Sequence, residues 1–250
     1  MPSSLLEYRP APDLLADKVI LVTGAGDGIG RAAALAFARH GATVVLAGRT
    51  VAKLEAVYDE ITAAGLPTPT IYPVDLAGAG EEDYRALAHA LDAHFGRLDG
   101  LLHNAGILGQ RTPLARYPLR LWEEVLRVNL TAPFLMTQKL LPVLEKAPAA
   151  SVVFTSSGVG RRGKAYWGAY AVSKFAIEGL TQVWADEVEG VSRIRVNCIN
   201  PGPTRTAMRA AAYPAEDPNR LRPPEAIMGA YLYLMGDDSR HVNGQSLDAQ

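Results

Sequence analysis

Tyr170 and Lys174 stand four residues apart in the segment AYAVSKFAIEGL, and this spacing could form an acid–base centre. On a helix, residues i and i+4 lie on one face, about one turn apart. The ammonium group of Lys174 would then lie near the phenol of Tyr170 and lower the phenol pKa from its usual value of about 10. A phenol tuned in this way can pass a proton to or from an alcohol oxygen. Because the same spacing also occurs on solvated helix faces, this prediction depends on motifs elsewhere in the chain.

A glycine-rich turn, TGAGDGIG, occupies Thr23 to Gly30 near the start of the chain. The apolar run from Lys18 to Val22 predicts a buried strand before the turn, and the run from Arg31 to His40 predicts a helix after it. Strand, glycine turn and helix in this order favour nucleotide binding at the helix N-terminus over an ordinary turn. In that interpretation, one glycine each allows the tight turn, the approach to a pyrophosphate and the packing of helix on strand: Gly24, Gly28 and Gly30.

The end of the second predicted strand favours NADP(H) over NAD(H). A carboxylate there would bind the adenosine ribose and repel a 2′-phosphate, but Ala47, Gly48 and Arg49 follow one another at this point. Arg49 can offer a planar fork of hydrogen-bond donors to a phosphate. Asp27, in the glycine turn, adds no attraction for phosphate and therefore weakens this prediction without reversing it.

The spacing Thr-Gly-x-x-x-Gly-x-Gly, together with five later motifs, resembles the short-chain dehydrogenase/reductase family. These motifs are Asp75 after TIYPV, His103-Asn104-Ala105-Gly106, Asn129 in RVNL, Ser157 thirteen residues before Tyr170, and Pro201-Gly202 with Thr206. They follow the order of the family from about Lys18 to Leu247. Longer segments, such as FTSSGVGRRGKAYWGAYAVSKFA and YLYLMGDDSR, are similar to the YciK-type oxidoreductases of proteobacteria, a subgroup of that family.

The resemblance implies hydride transfer between NADP(H) and a small-molecule carbonyl or secondary-alcohol substrate. Ser157 and Tyr170 would bind the carbonyl oxygen, and Tyr170 would deliver the proton. Lys174 would also bond the nicotinamide ribose, and Asn129 would hold a water that connects Lys174 to solvent. The residues assigned to cofactor binding are Gly24, Asp27, Gly28, Ile29, Gly30, Arg49, Asp75, Leu76, Asn104, Ala105, Gly106, Tyr170, Lys174, Pro201, Gly202, Thr204 and Thr206.

Several of these positions also have structural interpretations. Asn129 could be tied to a neighbouring backbone group, and the hydroxyls at Ser156 and Ser157 could cap a turn. His103 stands beside Asn104 and is expected to have a structural or cofactor-lining role rather than an acid–base one.

Other side chains could belong to the substrate site. Tyr166 and Trp167 could wall it or could simply pack near it. A small basic cluster, Arg161, Arg162 and Lys164, is usually a solvated patch but would matter for an anionic substrate, such as an acyl carrier or a phosphate ester.

Strands and helices alternate along the chain, which predicts an α/β fold: a single Rossmann-type domain over residues 1–250, with a parallel sheet of about seven strands and helices on both faces. The predicted strands are Lys18–Val22, Thr43–Ala47, Thr70–Val74, Leu98–Leu102, Val152–Thr155, Ile194–Ile199 and Gln245–Asp248. A long helix from about Leu121 to Glu145 contains Pro133 and Pro142, so we expect a kink or an early end. Within the domain, residues 1–16 are predicted to be an N-terminal extension and residues 203–224 a substrate loop.

Composition agrees with a soluble enzyme of 250 residues. A net charge of −1 favours neither nucleic acid nor an anionic membrane as a partner. The single cysteine, Cys198, excludes an internal disulfide and a multi-cysteine metal site, so no metal site is predicted. No segment approaches the ~18 apolar residues of a membrane span, and the first sixteen residues lack a signal-peptide pattern. We therefore expect a cytoplasmic protein.

Two other functions use parts of the same pattern. A catalytically idle NADP(H)-binding sensor would need the glycine turn and Asp75 alone, so the presence of all four catalytic residues argues against it. A sugar-nucleotide epimerase uses the same Tyr-x-x-x-Lys chemistry, but those enzymes usually have a longer segment after the position of Pro201.

The resemblance also implies a homodimer or homotetramer, assembled through the helices that contain Asn129 and Tyr170. A monomer would leave apolar side chains of these helices partly exposed: Leu130, Phe134, Phe175 and Leu180.

Overall fold

The computed structural model describes residues 5–250. Seven strands form one sheet in the order β3-β2-β1-β4-β5-β6-β7, and every neighbouring pair is parallel. The strands are β1 (Val19–Thr23), β2 (Thr43–Gly48), β3 (Thr70–Pro73), β4 (Gly100–His103), β5 (Ala150–Thr155), β6 (Ile194–Asn200) and β7 (Ser246–Asp248). The helices are α1 (Gly28–Arg39), α2 (Val51–Ala63), α3 (Glu81–Phe95), α4 (Leu119–Leu126), α5 (Ala132–Leu144), α6 (Gly168–Val188), α7 (Ala207–Ala212) and α8 (Met228–Met235). The predicted Rossmann-type α/β fold is confirmed.

The apolar strands of the sheet are buried because helices cover both of its faces. All residues of β1, β4 and β5 are buried, as expected for central strands of a parallel sheet. One core layer holds α1 and α8 against the sheet, and the other holds α3, α5 and α6. The alanines of α1 let this helix approach the sheet closely, and their burial fixes the position of the turn before it.

The long helix predicted from about Leu121 to Glu145 is interrupted. A five-residue π-helical turn, Arg127–Thr131, separates α4 from α5. Pro133 lies in the first turn of α5. It has no N–H to donate to the carbonyl of Asn129, and its ring crowds that carbonyl, which lies within the π-helical turn. Pro142 lies close to the end of α5, where the helix tolerates it.

The structure adds detail to two of the predicted segments. The predicted substrate loop, residues 203–224, contains the short helix α7. Of the predicted N-terminal extension, residues 1–4 lie outside the described residues, whereas Leu15 is fully buried and Leu14 and Leu5 pack against the core. The described part of this segment therefore packs against the core through its leucines.

Helix α8 was not predicted because its residues, MGAYLYLM, are apolar on every side. A helix that is buried all round lacks the one-sided pattern that identifies amphipathic helices, and seven of the eight residues of α8 are buried. No helix within residues 5–250 is long and apolar enough to cross a membrane.

Candidate active site

A cavity of about 550 Å³ lies along the carboxyl ends of the strands. Segments that follow six strands line it together with residues of α6 and α7, because parallel strands end at one edge of the sheet. Most of the predicted site residues line this cavity: Gly24, Asp27, Gly28, Ile29, Arg49, Asp75, Leu76, Asn104, Ala105, Gly106, Ser157, Tyr170, Lys174, Pro201, Gly202, Thr204 and Thr206. Gly30 and Asn129 lie behind this lining.

The glycine turn leaves main chain, rather than side chains, on the floor of the cavity. Gly24 has a φ of 67°, and an added Cβ would lie 3.1 Å from Cα of Ala105. At Gly30, a Cβ would lie 2.1 Å from the carbonyl oxygen of Gly24, so only glycine fits. At Gly28, the first atom that a Cβ would meet is Cγ2 of Thr206 at 3.5 Å, across the space where a pyrophosphate would lie. These residues fit a dinucleotide.

Asp27, which weakens the prediction of NADP(H), is neutralised in the structure. Its carboxylate caps α1 by accepting a hydrogen bond of 2.7 Å from the main-chain N–H of Gly28, and it pairs with the ammonium of Lys53 on α2. The hydrogen bond from Lys53 is the main cause that lowers the Asp27 pKa. Arg49 is exposed at the rim of the same cavity and has no ion pair within residues 5–250.

Tyr170 and Lys174 are both buried at the inner end of the cavity, with exposures of 8% and 5%. The Nζ atom of Lys174 lies 5.5 Å from the centroid of the Tyr170 ring and donates a hydrogen bond of 2.7 Å to the carbonyl oxygen of Thr155. The two side chains share one face of α6, as their spacing predicts.

The direction predicted for the Tyr170 pKa is wrong for this structure. Burial raises the pKa of Tyr170 to about 12, and hydrogen bonding with Ser157 acts in the opposite direction with a smaller effect. Burial also lowers the pKa of Lys174 to about 8, and the neighbouring Cys198 and Glu178 oppose this shift with smaller effects. Both groups lose their solvation, and burial is the largest cause of both pKa shifts. Near neutral pH the phenol is therefore protonated.

The two serines at the end of β5 have different surroundings. Ser157 follows the strand, lines the cavity and accepts a weak hydrogen bond of 3.4 Å from the main-chain N–H of Val159. Ser156 is buried, and its hydroxyl donates a hydrogen bond of 2.5 Å to Glu178. Ser157 is thus the serine that shares the cavity with Tyr170.

Asn129 is buried in the π-helical turn, and its side chain is bonded on both sides. Its Oδ1 accepts from the main-chain N–H of Ile107 at 2.8 Å, and its Nδ2 donates to the Ile107 carbonyl at 2.9 Å and to Ser173 at 3.1 Å. The side chain therefore fixes the loop after β4 against α6. A Cβ on Gly106 would lie within 3.8 Å of both Asn129 and Lys174, so the two residues border the same space.

His103 does not line the cavity. It is buried, its ring stacks on Phe154 at 4.8 Å, and its Nε2 lies 2.8 Å from the hydroxyl of Thr137. That hydroxyl donates to the carbonyl of Pro133, so Nε2 is the donor to Thr137. Burial lowers the His103 pKa to about 3, and the residue has a structural role.

The chain matches the family model of the short chain dehydrogenases over residues 18–217. It belongs to the short-chain dehydrogenase family. It is 53% identical over 245 residues to the oxidoreductase YciK of Escherichia coli K12, covering 98% of this chain and 96% of that protein. The crystal structure of YciK from E. coli aligns with a TM-score of 0.95 over 98% of this chain and 99% of that chain, which confirms the similarity to this subgroup. A short chain dehydrogenase of E. coli CFT073, solved in complex with NADPH, aligns with a TM-score of 0.94 at 54% identity over 96% of this chain and 100% of that chain.

This short-chain dehydrogenase is therefore an enzyme of the class that acts on CH–OH and C=O groups. Sequence reasoning did not single out several cavity residues, among them Lys53, Met208 and Arg209. Met208 and Arg209 fall within the predicted substrate loop, residues 203–224, but were not named. Lys53 stands 26 positions after its partner Asp27, and α7 brings the other two residues to the cavity. No local pattern marks Lys53.

The predicted basic cluster of the dehydrogenase is divided between two places. Arg161 binds Glu178, Asp248 and the hydroxyl of Ser246, whereas Lys164 lies at the ring of Tyr213.

Of the two aromatic residues before α6, Trp167 is buried and lines the cavity, and Tyr166 is 55% exposed. Trp167 therefore forms part of the wall next to Tyr170, with ring centroids 5.7 Å apart.

Glu178 is a further residue of the dehydrogenase that sequence reasoning did not select. It is 8% exposed and one turn beyond Lys174 on α6. It accepts hydrogen bonds from Ser156 at 2.5 Å and from the thiol of Cys198 at 3.0 Å. Since Ser156 stands between the Thr155 carbonyl and Ser157, Glu178 holds the strand end that carries two groups of the site.

We expect Glu178→Gln to lower the free energy of unfolding by about 1–3 kcal/mol near neutral pH, because buried donors lose a charged acceptor. Burial would raise the Glu178 pKa, but its hydrogen bonds, with Cys198 first, lower it overall. Because the Glu178 pKa is lower in the folded protein, the carboxylate stabilises the fold at pH values above the usual carboxyl pKa. This contribution is lost as the pH falls below about 4.5. Urea unfolding at several pH values measures the free energies of unfolding of the wild-type protein and the variant. The difference between the two should become smaller in acid.

The matched control is Glu55→Gln, which removes an exposed carboxylate of α2. An equal loss of stability in both variants, or a difference that stays constant in acid, would show that Glu178 is not held as a charged acceptor.

Proposed function

We propose that this protein is an NADP(H)-dependent oxidoreductase that interconverts a carbonyl group and a secondary alcohol, with Tyr170 as the acid and base. The observation that carries the proposal is one cavity with a glycine-floored dinucleotide cradle along it and the Tyr170 phenol, Ser157 hydroxyl and Lys174 ammonium at its inner end.

The residues of the chain would divide the work of reduction. The Ser157 hydroxyl and the Tyr170 phenol donate hydrogen bonds to the carbonyl oxygen, so negative charge that develops there is stabilised. Because its pKa is raised to about 12, Tyr170 is in the protonated form that reduction requires. When bound, NADPH supplies the hydride.

Two further residues position these groups and support the return of a proton to Tyr170. Lys174 stays anchored by the Thr155 carbonyl, with its ammonium beside the Tyr170 ring and available to the nicotinamide ribose. Asn129 holds the loop after β4. We also propose that it places a water beside Lys174.

The preference for NADP(H) has two supports in the chain. Arg49 is the exposed cation at the end of β2, and Lys53 cancels the charge of Asp27 in the glycine turn. The complex of the E. coli CFT073 relative with NADPH agrees with this assignment.

Titration of the purified protein with NADPH and NADH, followed by nicotinamide fluorescence, tests the proposal. Tight binding of NADPH with weak binding of NADH is the expected result. Binding of neither nucleotide would overturn the proposal, and tighter binding of NADH would overturn the role of Arg49.

We also propose that the protein is a homodimer or a homotetramer. Four apolar side chains on α5 and α6 are 38–56% exposed, and they form the surface that a second copy would cover: Phe134, Val172, Phe175 and Val183. Leu130 and Leu180 beside them are partly buried.

Light scattering after size-exclusion chromatography should therefore give the mass of two or four chains at micromolar concentration. We expect Phe175→Glu to shift the protein to a smaller species, because a carboxylate would be buried at the interface. The control is Val191→Glu, which changes an 80% exposed residue beyond the end of α6. A monomeric wild-type protein would contradict this proposal.

A further inference from the structure

Three cations surround the ring of Tyr213, which packs against Trp167 and Ala212 of the cavity lining. Of the three, Arg209 itself lines the cavity. Cζ of Arg209 lies 3.9 Å from the ring centroid, Cζ of Arg111 lies 5.1 Å from it, and Nζ of Lys164 lies 5.5 Å from it. Within residues 5–250, the one carboxylate paired with this basic rim (Arg111, Lys164 and Arg209) is Glu216, which binds Arg209 through two hydrogen bonds of 2.6 Å. Two of the three positive charges therefore have no bonded counter-charge.

This arrangement concentrates positive charge on the surface, because Arg111 and Lys164 are exposed. Each cation lies within 5.5 Å of the Tyr213 ring centroid, so no two are more than about 11 Å apart. At a Debye length of roughly 8–10 Å, salt does not screen their repulsion fully. Stacking on aromatic rings offsets part of the cost, and Arg111 is also bonded to the carbonyl oxygen of Ala212. Neither contact supplies negative charge, whereas a carboxylate or a phosphate would.

Trp167 joins the basic rim to the reacting end of the cavity. Cζ of Arg111 lies 5.0 Å from the Trp167 ring, and that ring lies 5.7 Å from the ring of Tyr170. The guanidinium is therefore no more than about 11 Å from the Tyr170 ring. A single small molecule can reach both groups.

Trp167 also carries a buried donor that needs an acceptor. The side chain is 7% exposed, and its Nε1 has no hydrogen-bond partner within residues 5–250. An indole N–H can only donate, and buried donors in folded proteins nearly always have a partner. A ligand oxygen beside Trp167 would supply one.

The walls between these groups are apolar. Trp167, Tyr170, Ala171 and Ala212 form a small buried cluster, and Leu108, Val159, Met208 and Tyr213 pack against it. This surface suits a hydrophobic body between a reacting carbonyl and a charged end.

We propose that the basic rim binds an anionic substituent, a carboxylate or a phosphate, on the carbonyl substrate of this enzyme. The inference rests on the proposed function, because it assigns the reacting carbonyl to Tyr170 and Ser157. It makes the substrate a small hydrophobic aldehyde or ketone that bears an anionic group.

The test compares two probes of similar size that differ in the charge of one substituent, para-formylbenzoate and its methyl ester, with NADPH as the reductant. The wild-type enzyme should prefer the carboxylate about tenfold or more in kcat/KM, as expected for a charge-assisted hydrogen bond. Arg111→Gln and Lys164→Gln should each reduce this ratio several-fold, and Arg111→Lys should retain most of it. Loss of packing alone would lower both rates and leave their ratio unchanged. The control is Arg193→Gln, which changes an exposed arginine before the amino end of β6.

The phosphates of the cofactor are the other anions that the rim could bind, and the affinity for NADPH distinguishes them. If Arg111→Gln and Lys164→Gln weaken NADPH binding and leave the preference for the carboxylate unchanged, the inference is wrong. It is also wrong if the wild-type enzyme reduces both probes equally well.

Calorimetry separates this inference from the proposed function when neither probe is reduced. The protein loaded with NADP⁺ should bind para-formylbenzoate more tightly than the ester, and both Gln variants should lose this difference. That result would support the basic rim even though the proposed reaction had failed for these probes. Absence of carboxylate binding would overturn the inference.

Discussion

Tyr170→Phe should reduce kcat for carbonyl reduction about 10²–10⁴-fold, the usual contribution of a positioned acid. The substitution removes one oxygen from a side chain that is 8% exposed, so the ring can keep its packing against Trp167. The affinity for NADPH should change little, because the glycine turn and Arg49 lie along other parts of the cavity. Steady-state rates and fluorescence titration measure the two quantities separately.

Tyr166→Phe is the matched control for this prediction. It removes the same hydroxyl from a tyrosine that is 55% exposed and stands four residues earlier, and it should leave kcat within about twofold of wild type. Equal effects of the two substitutions would remove Tyr170 from the reaction. If Tyr170→Phe abolished NADPH binding together with activity, the role of Tyr170 would be cofactor binding rather than proton transfer.

Arg49→Ala should raise the Kd for NADPH roughly 10- to 150-fold and leave the Kd for NADH nearly unchanged. A hydrogen bond between charged groups contributes about 1.5–3 kcal/mol, and each 1.4 kcal/mol is about a tenfold change in affinity. The side chain is exposed at the end of β2 without an ion pair in the described part of the chain, so its removal breaks no ion pair there. Higher salt should weaken NADPH binding more in the wild-type protein than in the variant.

Arg39→Ala provides the control, since it removes an exposed arginine from the last turn of α1. An unchanged Kd for NADPH in Arg49→Ala would assign the 2′-phosphate to another cation, with Lys53 as the nearest candidate on α2. An equal loss for NADPH and NADH would mean that Arg49 does not recognise the phosphate.

Local sequence patterns predicted the framework well. The runs KVILV, TVVLA and SVVFT are short, apolar and bounded by turn residues, so they identify buried strands without knowledge of the fold. The observed strand limits differ from the predicted ones by only one or two residues in most cases. The glycine turn was predictable because the positive φ of Gly24 and the close approach at Gly30 exclude other residues.

Features that depend on distant contacts were not predictable from local patterns. Asp27 looked like a charge against NADP(H), but Lys53 neutralises it from the next helix. The pKa of Tyr170 moves upward because the whole fold buries it, and the spacing to Lys174 carries no information about burial. Helix α8 was missed because a fully buried helix has no polar face to give it a pattern.

The basic rim likewise depends on contacts between distant segments, which local sequence patterns do not show. Its members Arg111, Lys164 and Arg209 come from three separate segments, and the ring of Tyr213 brings them together. The sequence offered Arg161 and Arg162 as neighbours of Lys164, but Arg161 binds Glu178 and Asp248 instead.

The most direct test of the central proposal follows hydride transfer itself. The purified enzyme would be incubated with each of the two stereospecifically deuterated forms of NADPH and a panel of aldehydes and ketones, and the alcohols analysed by mass spectrometry. We predict that deuterium appears in the alcohol from one form alone, and that Tyr170→Phe suppresses the transfer. Absence of deuterium in every alcohol, with NADPH bound to the protein, would contradict the assignment of this cavity to carbonyl reduction.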